Sequence, residues 1–518
     1  MNFRVDAIII GAGFSGCYAL YRLRQLGLQA KIIEAGSDFG GVWHWNRYPG
    51  ARVDGDCTVY QFSDPEIWQG WEWRERFSSS DDLRRYFQHA AKLMDLRKDT
   101  IFDTSITRCE YDSGTGSWVI HTAQGWHTVC TYLIPAVGAT VKPFIPSIPG
   151  LDLFAGTVVH PSRYPKTLDV YGKSVGIVGN GSSAVQLVQA LKKQDAKLTV
   201  FIRKPCIGIP MRQRDISYGE AMMQKSFSEA IFEKTRRSEA SCAYNNARGS
   251  AHDFTAEERR AILDEVWRRG DWNILLASFS DYAVDETVNS LLYDYWAQQV
   301  RSRMTDQRKM DLVAPLKQNQ WWATKRPCLE QNYYEVIDDP DVNVHDLHSA
   351  PIAEVEDRGI VTGFGPDDRE HHRLDVIIFA TGYDAFTGSL LDIGLRDRHG
   401  QTLRDKWSGG IITYLGMMIP DMPNLFVING PQSPASVTCG PPFLEQQVDW
   451  VCQIIAKMKD ERFEKVEATQ EAADEWGNEM HAVADATLNM RTDSWWNGAN
   501  IPGKFREPLV YFGGYNDG

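Results

Sequence analysis

The chain has no apolar stretch that approaches the roughly 20 residues needed to cross a bilayer as a helix. It also has no Cys-x-x-Cys pair, because its cysteines are scattered at positions 17, 57, 109, 130, 206, 242, 328, 439 and 452. Cationic excess is absent too, since 55 Lys and Arg residues face 68 Asp and Glu residues. These absences argue against a membrane span, a dithiol redox centre and a nucleic-acid partner.

Signals for export are also missing. Residues 1–4 run directly into a predicted strand and leave no room for a secretory signal, and scattered thiols are typical of a reducing compartment. We therefore expect a cytoplasmic protein without a metal site, and nothing in the sequence indicates its oligomeric state. Because 518 residues exceed one ordinary core, we expect two or three domains.

A glycine-rich turn follows the first apolar run of the chain. We expect a strand over residues 5–10, a helix from about 15 to 26 and a second strand over 30–34. The turn between strand and helix carries Gly11, Gly13 and Gly16. Such a turn brings backbone N–H groups to a pyrophosphate, and the acidic Glu34 at the next strand end suits a ribose hydroxyl. A carboxylate there would repel a 2′-phosphate, so this unit is predicted to bind the adenosine end of FAD.

A second turn of the same kind lies about a third of the chain further on. It follows an apolar run over residues 174–178 and contains Gly179, Gly181, Ser182 and Ser183. Here the next predicted strand, 197–202, is followed by Arg203 and Lys204, and no acid lies at the corresponding place. Cations at this place favour the 2′-phosphate of NADP. Two such units in one chain indicate two dinucleotides, typically a flavin that a nicotinamide reduces.

The predicted fold class is α/β, with two Rossmann-like dinucleotide-binding domains, one for FAD and one for NADP, and a helical insertion. We assign residues 1–145 and 385–518 to the FAD-binding domain, 146–212 and 321–384 to the NADP-binding domain, and 213–320 to the insertion. In the insertion, Thr255 and Glu258 form a capping-box pattern ahead of apolar residues at helical spacing. We expect its apolar stripes to pack as core. A strand is expected over 374–379 and a helix near 443–457.

Four segments carry a family resemblance. Residues 40–54, 154–165, 323–327 and 494–504 resemble, in family order, motifs of the type I Baeyer–Villiger monooxygenases. The fingerprint within 154–165 comprises Phe154, Gly156, His160, Tyr164 and Pro165. Two positions depart from the family pattern: Tyr164 stands where Trp is usual, and Val137 where Thr or Ser is frequent. The first departure weakens the distinction from the broader flavin-containing monooxygenases, and the second could loosen a contact with the cofactor.

The resemblance implies an enzyme that uses FAD, NADPH and O₂ to turn a ketone into an ester or a lactone. In the family, NADPH reduces FAD and the reduced flavin forms a C4a-peroxide that attacks the ketone carbonyl. By resemblance, Arg326 stabilises the anions of this reaction and Asp54 orients that arginine. Guanidinium suits the task because it stays protonated and offers several donors in one plane.

The resemblance also implies roles for residues around the two cofactors. Lys325 would reach the 2′-phosphate of NADP, and Trp495 would pack on NADP. His160 is interpreted as a hinge residue between domains and not as a base. Near the flavin we expect Gly41, Trp43, Arg47, Tyr48, Thr381, Gly382 and Pro431. Small residues there permit close approach of the backbone to a cofactor, and aromatic residues exclude water.

Three other functions remain as alternatives. A flavin monooxygenase that oxidises nitrogen or sulfur shares both nucleotide units but needs no arginine for a ketone. A pyridine-nucleotide disulfide reductase is disfavoured because it needs a redox-active cysteine pair beside the flavin. A nucleotide-binding protein without catalytic chemistry would keep the glycine turns but lose Arg326 or Asp54, and both are present.

Overall fold

The computed structural model describes residues 2–435 and 437–514. Its first sheet has seven strands, six of them from residues 3–135. Its strands lie in the order Leu395–Arg396, Ile106–Asp112, Ser117–Thr122, His127–Pro135, Phe3–Ile10, Ala30–Ile33 and Thr100–Ile101. Phe3–Ile10 runs parallel to both of its neighbours, with Ile8 opposite Lys31 and Leu133. The Phe14–Gln25 helix begins directly after the first strand, as the spacing predicts.

A second, five-stranded sheet is parallel throughout. Its order is Asn343–Asp346, Lys197–Ile202, Ser174–Val178, Val376–Phe379 and Thr157–Val159. The Ser182–Lys192 helix follows the Ser174–Val178 strand and repeats the strand–turn–helix unit. The second sheet thus combines strands from both sides of residues 213–320, and a Leu395–Arg396 strand returns to the first sheet. The predicted α/β class is confirmed, whereas the exact domain boundaries stay a prediction.

The segment 213–320 forms helices in the structure. They span Tyr218–Ser226, Ser228–Arg236, Ala256–Arg269, Asn273–Leu276, Glu286–Arg301 and Gln307–Val313. The capping box forms as predicted, because Thr255 accepts from the backbone of Glu258 and Glu258 accepts from the backbone of Thr255. The expectation of core packing is confirmed, since Ile262, Leu263, Val266, Val288, Leu292, Tyr295 and Val300 are buried.

Shorter elements complete the structure. The remaining helices are Val42–Trp45, Pro65–Trp68, Ser80–Leu93, Tyr333–Asp338, Gly388–Asp392, Leu403–Lys406, Gly440–Glu461 and Gln470–Asp485, with 3₁₀ turns at Arg97–Asp99, Leu151–Leu153, Pro161–Arg163, Ala251–Asp253, Pro366–Asp368 and Leu488–Arg491. Gly208–Pro210 pairs with Cys328–Glu330, and Ile352–Glu356, Gly359–Thr362 and Glu370–Arg373 form a three-stranded antiparallel sheet.

The helix predicted near 443–457 is longer in the structure, where it spans Gly440–Glu461. It starts earlier because two prolines occupy its first turn, where their missing N–H groups would have no partner within the helix. None of the helices among the described residues has both the length and the apolar character that a membrane crossing requires.

Candidate active site

Arg326 and Asp54, which lie far apart in the sequence, form an ion pair. Arg326 Nε donates to Asp54 Oδ2 at 2.7 Å. Trp272, from the helical segment, supports both residues: its Nε1 donates to the backbone oxygen of Asp54 at 2.6 Å, and its ring lies 4.5 Å from the guanidinium carbon of Arg326. The guanidinium is therefore fixed by a carboxylate at one edge and by an aromatic face.

The backbone around Arg326 is anchored from two sides. On its C-terminal side, the Cys328–Glu330 strand pairs with Gly208–Pro210. On its N-terminal side, buried Asn289 of the Glu286–Arg301 helix accepts from Trp322 N at 2.7 Å and donates to Trp322 O at 3.1 Å. The helical segment thus holds the chain just ahead of Arg326 in place.

The electrostatic environment keeps Arg326 charged. Burial disfavours its cationic form, but the charge and hydrogen bond of Asp54 act in the opposite direction, and together they raise the pKa of Arg326 above its usual value. The side chain is 19% exposed. Arg326 is thus a permanent positive charge in a largely desolvated place, where its interaction with an anion is stronger than in water.

A small cleft, partly open to solvent, lies beside this pair. Besides Asp54, Trp272 and Arg326, it is lined by Gly55, Asp56, Val59, Tyr60, Cys242, Tyr244, Val437, Thr438, Cys439 and Gly440. Together, the lining residues come from four distant parts of the sequence. The cleft joins one fixed cation to aromatic and small apolar walls, a combination that suits a small, weakly polar molecule with one oxygen that becomes anionic.

The first glycine turn has the geometry expected for a phosphate site. Gly13 is the N-cap of the Phe14–Gln25 helix, so no side chain stands between the first turn of the helix and a ligand. A Cβ atom on Gly16 would overlap the carbonyl oxygen of Gly11, so only glycine permits this close start of the helix. Buried Glu34 accepts from Ala12 N at 2.7 Å and from Gly36 N at 2.6 Å. Its carboxylate therefore lies at the same loop as Gly11 and Gly13.

The residues expected near the flavin lie next to this turn. Gly41 contacts Gly13, and Trp43 Nε1 donates to Tyr60 Oη at 3.1 Å, which brings Trp43 to the wall of the cleft. Arg47 is held by the backbone oxygen of His44, at 2.6 Å from its Nε.

Tyr48 connects the two nucleotide units. Its hydroxyl donates to Gln186 Oε1, in the Ser182–Lys192 helix, at 2.7 Å. A hydrogen bond to Ser183 from the same helix helps to hold Tyr48, which is buried. The segment that follows the first unit is therefore tied directly to the second.

The second glycine turn leaves open space where a phosphate would approach. Gly179 has a φ of +114°, and Gly181 is the N-cap of the next helix. No heavy atom of the described residues outside its immediate neighbours lies within 4 Å of a Cβ built on Gly181. Ser182 Oγ lies 3.4 Å from Cys328 Sγ. The start of this helix therefore contacts a residue that follows Arg326 by two positions in the sequence.

Three basic side chains lie together at the end of the Lys197–Ile202 strand. The pKa of Lys325 is lowered to about 8, mainly by burial and in addition by repulsion from Lys204 and Arg203. Lys204 is partly compensated by Asp493, at 3.3 Å from its Nζ. A buried ammonium among other cations is poorly satisfied by the protein alone, and it fits an anionic ligand.

His160 links the fingerprint to the strand end of the second sheet. Its Nε2 donates to Gly382 O at 3.0 Å, and its Nδ1 accepts from Ser162 N at 3.2 Å. Burial lowers the pKa of His160, although the bond to Gly382 opposes this effect. Both ring nitrogens are thus engaged in holding the chain, as a structural role requires.

The other fingerprint residues surround this link. Phe154 is buried with the second sheet, Gly156 lies against the backbone of Asp375, and Pro165 is exposed. Tyr164 is buried, and its hydroxyl has no hydrogen-bond partner among the described residues. Thr381 donates to the backbone oxygen of Phe144 beside Gly382.

Trp495 and Pro431 lie outside the cleft lining. Trp495 stacks on Phe386, with ring centroids 5.7 Å apart and planes 14° from parallel. Pro431 is buried just ahead of Gln432, which has a φ of +72°. Their expected contacts with NADP and flavin stay predictions.

Sequence reasoning missed Trp272, Tyr60 and Tyr244 in the cleft. Trp272 and Tyr244 belong to the helical segment, whose apolar stripes indicate core packing. No motif marks these two residues, since only the tertiary packing of the segment brings them to Arg326. Tyr60 follows the motif around Asp54 closely, so its proximity in sequence was the one available signal.

Comparisons with known proteins extend over nearly the whole chain. A model of flavin-binding monooxygenase-like proteins matches residues 4–246. Cyclopentanone 1,2-monooxygenase of Comamonas sp. is 37% identical over 512 residues, which cover 99% of this chain and 92% of that protein. Phenazine N-monooxygenase of Lysobacter antibioticus is 34% identical, with 98% of this chain and 93% of that protein covered. The crystal structure of OTEMO in complex with FAD and NADP has a TM-score of 0.93 at 33% identity, covering 98% of this chain and 95% of that one.

Proposed function

The chain belongs to the Baeyer–Villiger monooxygenase family, and we propose that Arg326, held by Asp54, stabilises the negative charge that develops during its reaction with a ketone. The enzyme depends on FAD and NADPH and converts a ketone into an ester or a lactone. The observation that carries the proposed role of Arg326 is its partly buried ion pair with Asp54 in the wall of the cleft. A guanidinium in this environment is a fixed countercharge for an oxyanion.

The residues at the first glycine turn fit FAD. Gly11, Gly13 and Gly16 would leave the pyrophosphate against the start of the Phe14–Gln25 helix, and Glu34 would accept from the ribose. Trp43, Arg47 and Tyr48 would shield the ring system from water on the side of the cleft. FAD, once reduced by NADPH, supplies the activation of O₂.

The residues at the second glycine turn fit NADPH. Gly179, Gly181 and Ser182 would hold the pyrophosphate at the start of the Ser182–Lys192 helix. Lys325, with Arg203 and Lys204 beside it, would bind the 2′-phosphate, which relieves the repulsion among these cations. Because Lys325 and Arg326 are consecutive, the same stretch of backbone would contact the nicotinamide cofactor and face the cleft.

Arg326, which packs against the ring of Trp272, would determine whether the cleft favours oxidation of a ketone or of a sulfur or nitrogen atom. When the ketone carbonyl becomes tetrahedral, its oxygen acquires negative charge, and a guanidinium already held in place stabilises that charge without reorganisation. Asp54 keeps the guanidinium from turning away. Oxidation of a thioether or an amine develops no such oxyanion, so it gains less from this arrangement.

A direct test is a product survey of the purified enzyme. We expect it to bind FAD, to oxidise NADPH, and to form esters or lactones from a panel of cyclic and linear ketones, detected by gas chromatography with mass spectrometry. A matched panel of thioethers and aromatic amines serves as the comparison. Exclusive formation of sulfoxides or N-oxides would contradict the proposed role of Arg326 and would favour the chemistry named for the Lysobacter relative.

A further inference from the structure

Two histidines and a glutamate converge at the far edge of the five-stranded sheet. His345 lies on the Asn343–Asp346 edge strand, while Glu370 and His372 lie on the Glu370–Arg373 strand of the three-stranded sheet. One donor atom from each of the three side chains lies within 4.8 Å of the others. None of the three residues lines the cleft at Arg326, and the proposed reaction does not use them.

Hydrogen bonds at the outer ring nitrogens orient both histidines. His345 Nε2 lies 3.0 Å from the carbonyl oxygen of Ala350, which can only accept, so Nε2 carries a proton. His372 Nε2 lies 2.9 Å from Oγ1 of buried Thr362. With Nε2 as the donor in each neutral ring, both Nδ1 atoms present a lone pair toward Glu370. Metal-binding histidines characteristically donate their second ring N–H to a carbonyl or a similar acceptor in this way.

The distances suit a shared ion better than direct hydrogen bonds. His345 Nδ1 lies 3.7 Å from Glu370 Oε2, and His372 Nδ1 lies 3.9 Å from Glu370 Oε1. Both distances exceed that of a good hydrogen bond. Two ligand atoms at about 2.1 Å from zinc, at the tetrahedral angle, would be about 3.4 Å apart. The two measured distances are within about half an ångström of this separation, and the carboxylate of exposed Glu370 is free to adjust toward both nitrogens.

The surroundings favour preorganisation of the two rings. The side chains of His345 and His372 are only 13% and 10% exposed, and their rings pack edge to face with centroids 4.7 Å apart. The ring of Phe201 packs against both. By contrast, the neighbouring His371 is 58% exposed and pairs with Glu356 at 3.2 Å. Two packed imidazoles and one solvent-exposed carboxylate form a site that an ion can reach from solvent.

We propose that His345 Nδ1, His372 Nδ1 and the Glu370 carboxylate bind one divalent transition-metal ion of the zinc class. Imidazole and carboxylate ligands suit Zn²⁺, and three protein ligands leave one tetrahedral position for water. The ion would link the edge strand of the five-stranded sheet to the three-stranded sheet. Because His345 pairs in register with Phe201, the ion would brace the Lys197–Ile202 strand, which Arg203 and Lys204 follow.

The test is zinc binding by the holoenzyme, measured by equilibrium dialysis against ZnCl₂ with a phosphine reductant and by elemental analysis. We expect about one zinc ion per chain, and at least about tenfold weaker binding in Glu370→Gln and in His372→Gln. Thr362→Val, which removes only the outer partner of His372, should weaken binding about 10- to 100-fold. His371→Gln is the matched control on the same strand and should bind as the unaltered protein does.

Two further readouts keep the result independent of misfolding and of thiols. Flavin absorbance and circular dichroism of each metal-free variant should match those of the unaltered protein. X-ray absorption of the bound zinc should show nitrogen and oxygen neighbours without sulfur. Sulfur ligands, an absence of tight binding, or binding that Glu370→Gln and His372→Gln leave unchanged would each overturn the proposal.

Discussion

The environment of Lys325 supports its proposed contact with the 2′-phosphate of NADPH. The protein buries this ammonium and places Lys204 and Arg203 near it, and both effects lower its pKa, to about 8. A charged ammonium in such surroundings raises the free energy of the folded protein unless an anionic ligand pairs with it. A phosphate bound among the three cations would supply that compensation.

A pH-dependent preference for NADPH follows from this pKa. Below pH 8, Lys325 is charged in the free enzyme and binding should not vary with pH on its account. Above pH 8, binding of the phosphate must first restore the proton, so the dissociation constant for NADPH should rise by up to about tenfold per pH unit. Fluorescence titrations between pH 6 and 10 measure this constant. NADH, which lacks the 2′-phosphate, should show a much smaller change.

Lys325→Arg is the matched variant for this prediction, because its charge persists over the whole range. Its affinity for NADPH should stay flat where that of the unaltered protein declines. Parallel curves for NADPH and NADH in the unaltered protein would remove Lys325 from the phosphate site.

At the residue scale, the sequence predicted only those site residues that lie within a recognisable motif. Arg326 and Asp54 were identified through family segments, and the structure joins them at 2.7 Å. Trp272, which contacts both, lies in no motif. A tryptophan in an amphipathic helical segment carries no mark that separates a core residue from one beside a reacting group.

At the scale of elements, His160 connects the segment that follows the Thr157–Val159 strand to the loop that follows the Val376–Phe379 strand. His160 holds Gly382 O and Ser162 N, and its ring lies edge to face against Tyr383, 5.2 Å away. Tyr383 in turn donates to Asn46 in the segment after the first glycine turn. This chain of contacts connects the two nucleotide units through a few side chains.

Replacement of this histidine, His160→Ala, should lower the free energy of unfolding by about 1–3 kcal/mol, because it leaves buried backbone groups without their partners. Denaturant titration followed by tryptophan fluorescence measures the loss. The control variant His399→Ala removes an exposed histidine and should change the free energy of unfolding little. Equal losses in the two variants would contradict the role given to His160.

The same variant should change the response to acid. Burial lowers the pKa of His160 in the folded protein, so the unfolded chain binds its proton more readily between that lowered pKa and the ordinary value of 6.5. Stability therefore decreases as the pH falls through this range, and His160→Ala should lack this component.

Elements near glycine turns were predicted well, because strand, turn and helix are local patterns. The observed strands Ser174–Val178 and Lys197–Ile202 have the predicted bounds. The Gly440–Glu461 helix extends beyond the predicted 443–457 at both ends, and two prolines occupy its first turn. Pairing of Val376–Phe379 with Ser174–Val178 joins strands about 200 residues apart, an arrangement that no local pattern specifies.

On the scale of the whole molecule, the cleft is the place where four parts of the chain meet, one of which is residues 437–440. Asp54 follows the first nucleotide unit, Trp272 belongs to the helical segment, and Arg326 precedes the Cys328–Glu330 strand. The helical segment thus both anchors the backbone ahead of Arg326, through Asn289, and supplies a wall of the cleft. The cleft therefore forms only when the helical segment packs against the two nucleotide units.

In the proposed function Arg326 acts in the oxygenation step and not in the binding of FAD, because the residues proposed to bind FAD lie at the first glycine turn. Arg326→Ala should therefore be isolated with its flavin and should still oxidise NADPH. Arg326→Lys keeps a positive charge but loses the planar set of donors, so it should retain only a part of the activity.

The decisive measurement is the fate of the electrons from NADPH in Arg326→Ala, with ester and hydrogen peroxide quantified in the same reaction. We expect ester formation to fall by at least about 100-fold, with the consumed NADPH appearing as hydrogen peroxide. Ester formed at the rate of the unaltered enzyme, with little peroxide, would contradict the role of Arg326 in the cleft.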